Sequence, residues 1–538
     1  MRVPRTVSAL TVGVAAALAL TACAGGGDGA APSTGSGPVD GGELLFALAA
    51  DPISLNPSGV GNGNITWYVT RQLVDSLLFQ NPDTGELEPW LAESYESNDD
   101  ATAFTFVLRD DVTFSDGTPL TAEDVKGTFD DIVAAGALSD AVRDLVGYEE
   151  TVVVDDHTVE VRFSAPNAAF PTATTSVGLG IVGAATREIP YDERADGQAL
   201  VGTGAFTLES YTKDVETVLA AREDYAWAPE ALENDGAAHL DSVVFQVVPE
   251  ASVRLGSLVS GQLDAIGNVL PTDLEELDAQ GLTALSRTNP GLPFNVAFNV
   301  ASPLSSDIAV REAVAASIDS VEVRDTLLGD LFPVATSSLT ANTPGFADQS
   351  AFYAYDPEHA AEVLDDAGWT EGADGVRQKD GVPLQLSLLW ATNNATNQAV
   401  VELIQQQLAE VGIGVELVSG TVPEVLARQD AGDFDLSWGN LSRTDGDVLR
   451  TVYSAATTRL GIDDPELETL LQEQLAGRDT AARADLLAQA QERIASQYYQ
   501  VPVYELTSII GLAPEVEGLR FGADSRLASL VSAWKNAE

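Results

Sequence analysis

Few side chains in this sequence are of a type and spacing that could carry out chemistry, and most of them argue against catalysis. There are three histidines, His157, His239 and His359. Metal-dependent catalysis gathers histidines and carboxylates at short fixed spacings, as in a helical His-Glu-x-x-His, and none of the three sits in such a cluster. His157 falls in an Asp-Asp-His-Thr turn and His359 in the first turn of a helix, so both are read as structural. A serine hydrolase of the elbow type would show Gly-x-Ser-x-Gly, and a nucleotide-hydrolysing subunit would show a Gly-Lys-Ser/Thr phosphate loop. Neither motif occurs. With 82 carboxylates, some acid pairs lie close by number alone and define no glycosidase dyad. Cys23 is the only cysteine. A nucleophilic thiol needs a base beside it in a folded site, Cys23 precedes any segment able to fold, and no second thiol exists to close a disulfide. The sequence predicts no catalytic residue, no metal site and no cofactor.

The surroundings of Cys23 suggest a different role. Arg2 and Arg5 precede an apolar run over residues 7–20, followed by small residues, which is the layout of a secretory signal peptide. The run is too short for a transmembrane helix, which needs about 20 residues. Leu20-Thr21-Ala22-Cys23 resembles the lipobox of bacterial lipoproteins. The resemblance implies cleavage before Cys23, a diacylglycerol on its thiol, and a protein anchored by lipid at the extracytoplasmic face of the cell membrane. Residues 1–22 are then the signal peptide and 23–42 a lipidated tether. Val39 is the one bulky apolar residue of 24–42, and the Gly and Ser content makes this stretch a flexible coil reaching roughly 25 Å.

The chain beyond residue 42 exceeds what a single core usually serves, so at least two lobes are expected. The formal net charge is −55, from 82 acidic against 27 basic residues. Such a surface repels phosphates and excludes a nucleic-acid partner. It is read as a solvated acidic surface that keeps the body soluble.

The elements alternate between strand and helix, as α/β folds do. Residues 44–48 form an apolar strand, and a helical stretch follows with Tyr68, Arg71/Gln72, Asp75 and Leu78 on successive turns. Phe104, Phe106 and Leu108 alternate as in a half-buried strand. Thr121 opens a helix whose apolar face is Val125, Phe129 and Ile132/Val133. Residues 243–248, 251–260 and 263–266 read as strand, helix and strand. Asp356 caps a helix with Pro357 at its first position and Gly368 beyond its end. Residues 384–390 form a strand, Val400, Leu403/Ile404, Leu408 and Val411 a helical stripe, and 413–418 the next strand. A last strand at 434–438 is expected to end at Trp438 and give way to a loop.

Several stretches together resemble the family 5 extracellular solute-binding proteins of bacterial ABC importers, which include oligopeptide-, dipeptide- and nickel-binding proteins. The stretches are QLVDSLL, NPDTGELEPWLAESYE and FTFVLRDDVTFSDGTPLTAEDVKGTFD, then Val201-Gly202-Thr203-Gly204-Ala205-Phe206, Val248-Pro249-Glu250-Ala251, Asp356-Pro357-Glu358, Ala367-Gly368-Trp369 and Val501-Pro502-Val503-Tyr504. The resemblance implies a two-lobed periplasmic-binding-protein-like fold (type II, cluster C-like). Lobe I would hold 43–289 and 500–538, with a small subdomain at about 81–199, and lobe II would hold 290–499. Hinge crossings would lie near Asn289-Pro290-Gly291 and near 498–501. A monomer would close its cleft on a small solute, most often a peptide, and pass it to a membrane permease powered by separate ATPase subunits. A metal chelate or another small carboxylated compound is the alternative within that class, and a secreted hydrolase the alternative outside it.

Peptide-binding members carry a tryptophan followed by an aspartate that grips the peptide ammonium. Here the corresponding stretch is Trp438-Gly439-Asn440-Leu441-Ser442-Arg443, without that aspartate. Arg443 can instead hold a carboxylate through two parallel hydrogen bonds, or it can be tied up by Asp445 or Asp447. The other cleft candidates are Asn64, Trp67 and Tyr68 in the first lobe and Trp390, Asn393, Asn394, Trp438 and Asn440 in the second. Aromatic faces would supply contact area and amides would supply orientation. Trp90, Trp227, Trp369 and Trp534 are read as packing residues.

Overall fold

The computed structural model describes residues 37–59, 63–234, 236–372, 374–477 and 480–536. The expected signal peptide, Cys23 and most of the tether lie outside them. Residues from Pro38 onward form one compact unit, built on two large sheets and a smaller one.

The first sheet has seven strands in the order Thr283–Thr288, Thr507–Leu512, Ala265–Ile266, Glu43–Leu48, Ser242–Val247, Glu216–Ala221, Phe206–Thr212. Glu43–Leu48 is central and pairs in parallel with both neighbours, Ser242–Val247 and Ala265–Ile266. The helix Ala251–Val259 lies on the crossover from Ser242–Val247 to Ala265–Ile266, which carries the chain past the central strand. The second sheet has five strands in the order Gly414–Gly420, Gln385–Ala391, Leu436–Ser442, Gly291–Phe298, Gln500–Tyr504. Helix Asn397–Glu410 covers it with Val400, Ile404 and Leu408, all buried, the stripe expected from the heptad-like spacing.

A four-stranded antiparallel sheet, ordered Ala92–Ser97, Ala103–Leu108, Thr158–Phe163, Tyr148–Asp155, shares one continuous apolar core with the first sheet. Phe104 and Phe106 point inward as their alternation requires, and both pack on Phe170, at 5.3 and 6.1 Å between ring centroids. The helix Ala122–Ala135 begins where Thr121 donates its N–H and hydroxyl to the Asp124 carboxylate. Val125, Phe129 and Ile132 are buried, whereas Val133, read from sequence as part of the same face, is exposed. Another helix, Pro357–Asp366, starts as expected, with the Asp356 carboxylate accepting from the His359 N–H at 2.9 Å.

Three local readings change. The helix beginning at Asn64 stops at Thr70, and Leu78 lies in a short strand. The chain turns there because Gly202-Thr203-Gly204 docks on its backbone: Gly204 N–H donates to the Leu73 carbonyl at 3.0 Å and Asp75 N–H to the Thr203 hydroxyl at 3.0 Å. A Cβ on Gly202 or Gly204 would run into the carbonyls of Leu73 and Gln72. Gly204→Ala is therefore expected to lower stability by about 1–3 kcal/mol through overpacking, measurable by urea unfolding. Next, the strand expected to end at Trp438 continues to Ser442, because Leu441 and Ser442 pair with Leu292 and Gly291. Gly291 has φ +107°, and a Cβ there would meet the Leu441 carbonyl, so glycine permits this close pairing. Finally, Gln500–Tyr504 pairs with Gly291–Phe298 and so belongs to the second sheet. The chain passes between the large sheets at Asn289-Pro290 and again at Glu505-Leu506, later than the 498–501 expected. The two crossings are bonded to each other: Asn289 N–H donates to the Leu506 carbonyl at 2.7 Å, and the Ser508 hydroxyl to Asn289 Oδ1 at 2.8 Å.

Candidate ligand-binding site

A cavity of about 600 Å³ takes its walls from both halves of the body. From the first-sheet side come Trp67, Arg71, Trp90 and Asp144, together with residues 522–524 and 526–529 of the C-terminal segment. From the second-sheet side come Leu441, Ser442 and Arg443, where the strand Leu436–Ser442 ends, and the turn that follows them.

Arg526 is 9% exposed and held on three sides. Its Nε donates to Asn64 Oδ1 at 2.9 Å, its Nη1 to Asp524 Oδ2 at 3.3 Å, and its guanidinium lies 4.2 Å from the centroid of the Trp67 ring, within cation–π range. Burial lowers its pKa, Asp524 opposes the shift, and the positive charge of Arg443 adds to it. Arg71 donates to the Thr175 carbonyl at 2.8 Å and the Ser76 hydroxyl at 3.0 Å, with its guanidinium 4.9 Å from the centroid of the Trp90 ring. Burial lowers its pKa as well.

Arg443 donates to the Ser442 carbonyl at 3.1 Å and has no carboxylate within ion-pair distance among the described residues. The two aspartates that follow it are taken elsewhere. Asp445 forms a two-pronged pair with Arg483, and Asp447 one with Arg450. Gln474 ties them together, accepting from Arg483 Nε and donating to Asp447. Burial works against the charge on Asp445, but Arg483 outweighs it and holds the carboxyl below its usual range. Asp144 is half-buried, which pushes its carboxyl up, while Arg443 and Arg143 pull it down.

Of the nine ligand candidates read from sequence, the cavity brings together Trp67 and Arg443, with Asn64 behind them on Arg526. Tyr68 is buried and packs edge-on against Phe46 at 6.2 Å. Trp438 donates to Asn397 Oδ1 at 3.0 Å and stacks on Phe294 at 5.2 Å. Trp390 is buried in the same sheet. Asn394 accepts from the Thr396 N–H at 3.0 Å at the entry to a helix, and Asn393 accepts from Asn397 Nδ2 at 3.4 Å. Asn440 stands within the strand Leu436–Ser442. These last five are not among the residues lining the cavity. Trp90, read as a packing residue, does line it. Sequence reading missed Arg71, Asp144 and Arg526. No local motif marks them, and Arg526 joins Asn64 from 462 positions away.

Among the described residues no group of three or more His, Cys, Asp or Glu side chains could hold a metal ion. His239 pairs with Asp40 at 2.7 Å and His359 with Glu312 at 3.0 Å, and neither is among the residues lining the cavity.

Two sheet-centred lobes, two strand crossings and a cavity with walls from both define a two-lobed solute-binding protein. Residues 86–459 match the family described as bacterial extracellular solute-binding proteins, family 5. The chain belongs to that family, whose members are the solute-binding components of ABC importers. It is 24% identical over 508 residues to the nickel-binding periplasmic protein of Escherichia coli K12, covering 89% of this chain and 93% of that relative. It is 26% identical over 504 residues to the probable D,D-dipeptide-binding periplasmic protein DdpA of the same organism, covering 89% and 91%. Among solved structures, NikA of Brucella suis in complex with Fe(III)-EDTA superposes with a TM-score of 0.80 at 23% identity, over 92% of this chain and all of that one. AppA of Bacillus subtilis in complex with a nonapeptide gives 0.74 at 19% identity, over 93% and 100%. At these identities the structures report the shared fold.

Proposed function

We propose that this chain captures one small solute bearing a carboxylate, a peptide in the first instance, and delivers it unaltered to a membrane permease. The observation that carries this reading is the guanidinium of Arg443, which faces the cavity with no carboxylate partner among the described residues. A peptide has a carboxylate for it to hold, and peptide-binding relatives support that class. A second reading is a metal chelate or other small carboxylated compound. It is favoured by the loss of both nearby aspartates to Arg483 and Arg450, which leaves the turn with no carboxylate free to take an ammonium group. The nickel-binding relative points the same way. Under either reading the protein does no chemistry on its ligand.

Native mass spectrometry of the purified body, without residues 1–23, tests this. One small-molecule adduct per chain is expected, and Arg443→Ala should lower its occupancy about tenfold, the weight of a charge-assisted hydrogen bond. Unchanged occupancy in Arg443→Ala would remove Arg443 from the site.

The anchor is a separate proposal: the Cys23 thiol carries the lipid that holds the body at the extracytoplasmic face. Cys23→Ala is expected to carry no lipid and to accumulate as a precursor with its signal peptide attached. Normal processing and membrane retention would contradict the anchor alone.

A further inference from the structure

The C-terminal segment contributes a guanidinium to the same cavity, and its setting is unusual for a chain with a net charge of −55. Arg526 and Arg443 both line the cavity, one from each wall. Each bears on the other as a like charge. Like charges in a partly dry site repel, and Arg443, half-buried just past the strand Leu436–Ser442, is held there by its backbone N–H, which donates to the Pro290 carbonyl at 3.1 Å. Arg526 is also fixed before any ligand arrives: Asn64, Asp524 and the face of Trp67 occupy its Nε, its Nη1 and one side of its plane. Among the described residues Nη2 donates no hydrogen bond. The Nη2 donors remain for a ligand, and a carboxylate can be held by them alone or together with the second N–H of Nη1. Ser529 Oγ and Gln80 Oε1 are buried polar atoms of cavity-lining residues, each residue 5% exposed, without a partner among the described residues. Buried polar atoms are normally satisfied, so these two are suited to ligand groups.

We propose that Arg526 and Arg443 form a two-armed clamp that closes on one carboxylate of the solute, with Asn64 as the positioning residue for Arg526. The clamp rests on the reading of a carboxylated ligand and deepens it. Arg526 is the resident arm on the first-lobe side, and Arg443 is the arm brought by the second lobe. A bridging carboxylate turns their mutual repulsion into attraction, so the liganded state favours approach of the two walls. The clamp thereby selects acids over their neutral amides.

The probes are trialanine, trialanine amide and citrate, titrated calorimetrically into the purified body freed of bound ligand by unfolding and refolding. At least one of the two carboxylate probes should bind. If trialanine is that probe, its amide should bind at least tenfold more weakly. Arg526→Gln and Arg443→Gln should each weaken the carboxylate probe at least tenfold. Asn64→Ala should weaken it less and leave the amide unchanged, a split that general loss of structure would not give. Arg526→Lys keeps the charge without the fork and should recover only part of the affinity. Should Arg526→Gln fail to fold, Asn64→Ala and the acid-against-amide comparison on the unmodified chain decide the matter. Equal binding of acid and amide overturns the clamp and leaves the peptide-receptor reading standing. Failure of both carboxylate probes at millimolar concentration, or binding untouched by Arg526→Gln, also overturns it. Conversion of a probe into a new product would instead overturn the receptor reading itself.

Discussion

Arg483→Met should destabilise the body by about 3 kcal/mol, because it leaves one carboxylate buried and unpaired. The arginine and its partner Asp445 have side chains only 13% and 14% exposed. The pair is two-pronged and is joined through Gln474 to Asp447 and Arg450. Removing Arg483 strips the charge that overcomes the desolvation of Asp445. The effect should reach the cavity, because this network fixes the turn that follows Arg443. Solute affinity should therefore fall in the same variant although Arg483 is not among the residues lining the cavity. Arg162 is the control. It pairs with Glu150 and Glu160, but its side chain is 44% exposed, and exposed pairs contribute little because water screens them. Urea unfolding of Arg483→Met and Arg162→Ala in parallel checks the contrast. Equal effects would show that the turn is held by something other than its buried ion pairs.

A pH-dependent gain in stability is expected from Glu505→Gln. Glu505 stands at the second crossing between the sheets, is 3% exposed, and accepts one hydrogen bond, from the Ala341 N–H at 2.9 Å. Burial pushes its carboxyl up from 4.5 to about 7. The folded chain thus holds a proton that the unfolded chain releases. The stability associated with the neutral acid is complete below the unfolded value of 4.5 and is lost as pH rises through about 7. Above that pH the wild type bears an ionised, poorly solvated carboxylate that glutamine avoids. Glu505→Gln should therefore exceed the wild type by about 3 kcal/mol at pH 8, given 1.4 kcal/mol per pKa unit, and match it near pH 4. Asp75, raised to about 7 by burial despite the hydrogen bond from Trp227 Nε1 at 2.9 Å, titrates with the same sign. Comparing variant with wild type at each pH cancels that background. A difference independent of pH would mean that Glu505 is ionised in the folded protein.

What the sequence disclosed was mostly local. The alternation of Phe104, Phe106 and Leu108, the Thr121–Asp124 start and the Asp356-Pro357 start each depend on neighbours within a few positions, and each stands in the structure where its pattern placed it. Sheet order and strand ends depend on distant partners. Pairing with Gly291 and Leu292 carried the strand past Trp438 to Ser442, and pairing with Gly291–Phe298 drew Gln500–Tyr504 into the second sheet. The cavity divides along the same line. Trp67 and Arg443 stood out by residue type in their segments. Trp438 and Trp390 stood out equally, yet a large aromatic at a strand end serves a core as well as a cleft, and here sheet packing took both. Arg526 and Asp144 are ordinary charged residues within their own segments and become part of a site only when remote stretches of chain meet.

The central claim is capture without conversion. Its most direct measurement begins with the molecule that co-purifies with the body: extract it, characterise it by mass spectrometry and nuclear magnetic resonance, and titrate it back into protein freed of ligand. The expected result is saturation at one molecule per chain, with the recovered compound identical to the compound added. Recovery of an altered compound, or heat that never saturates, would contradict it.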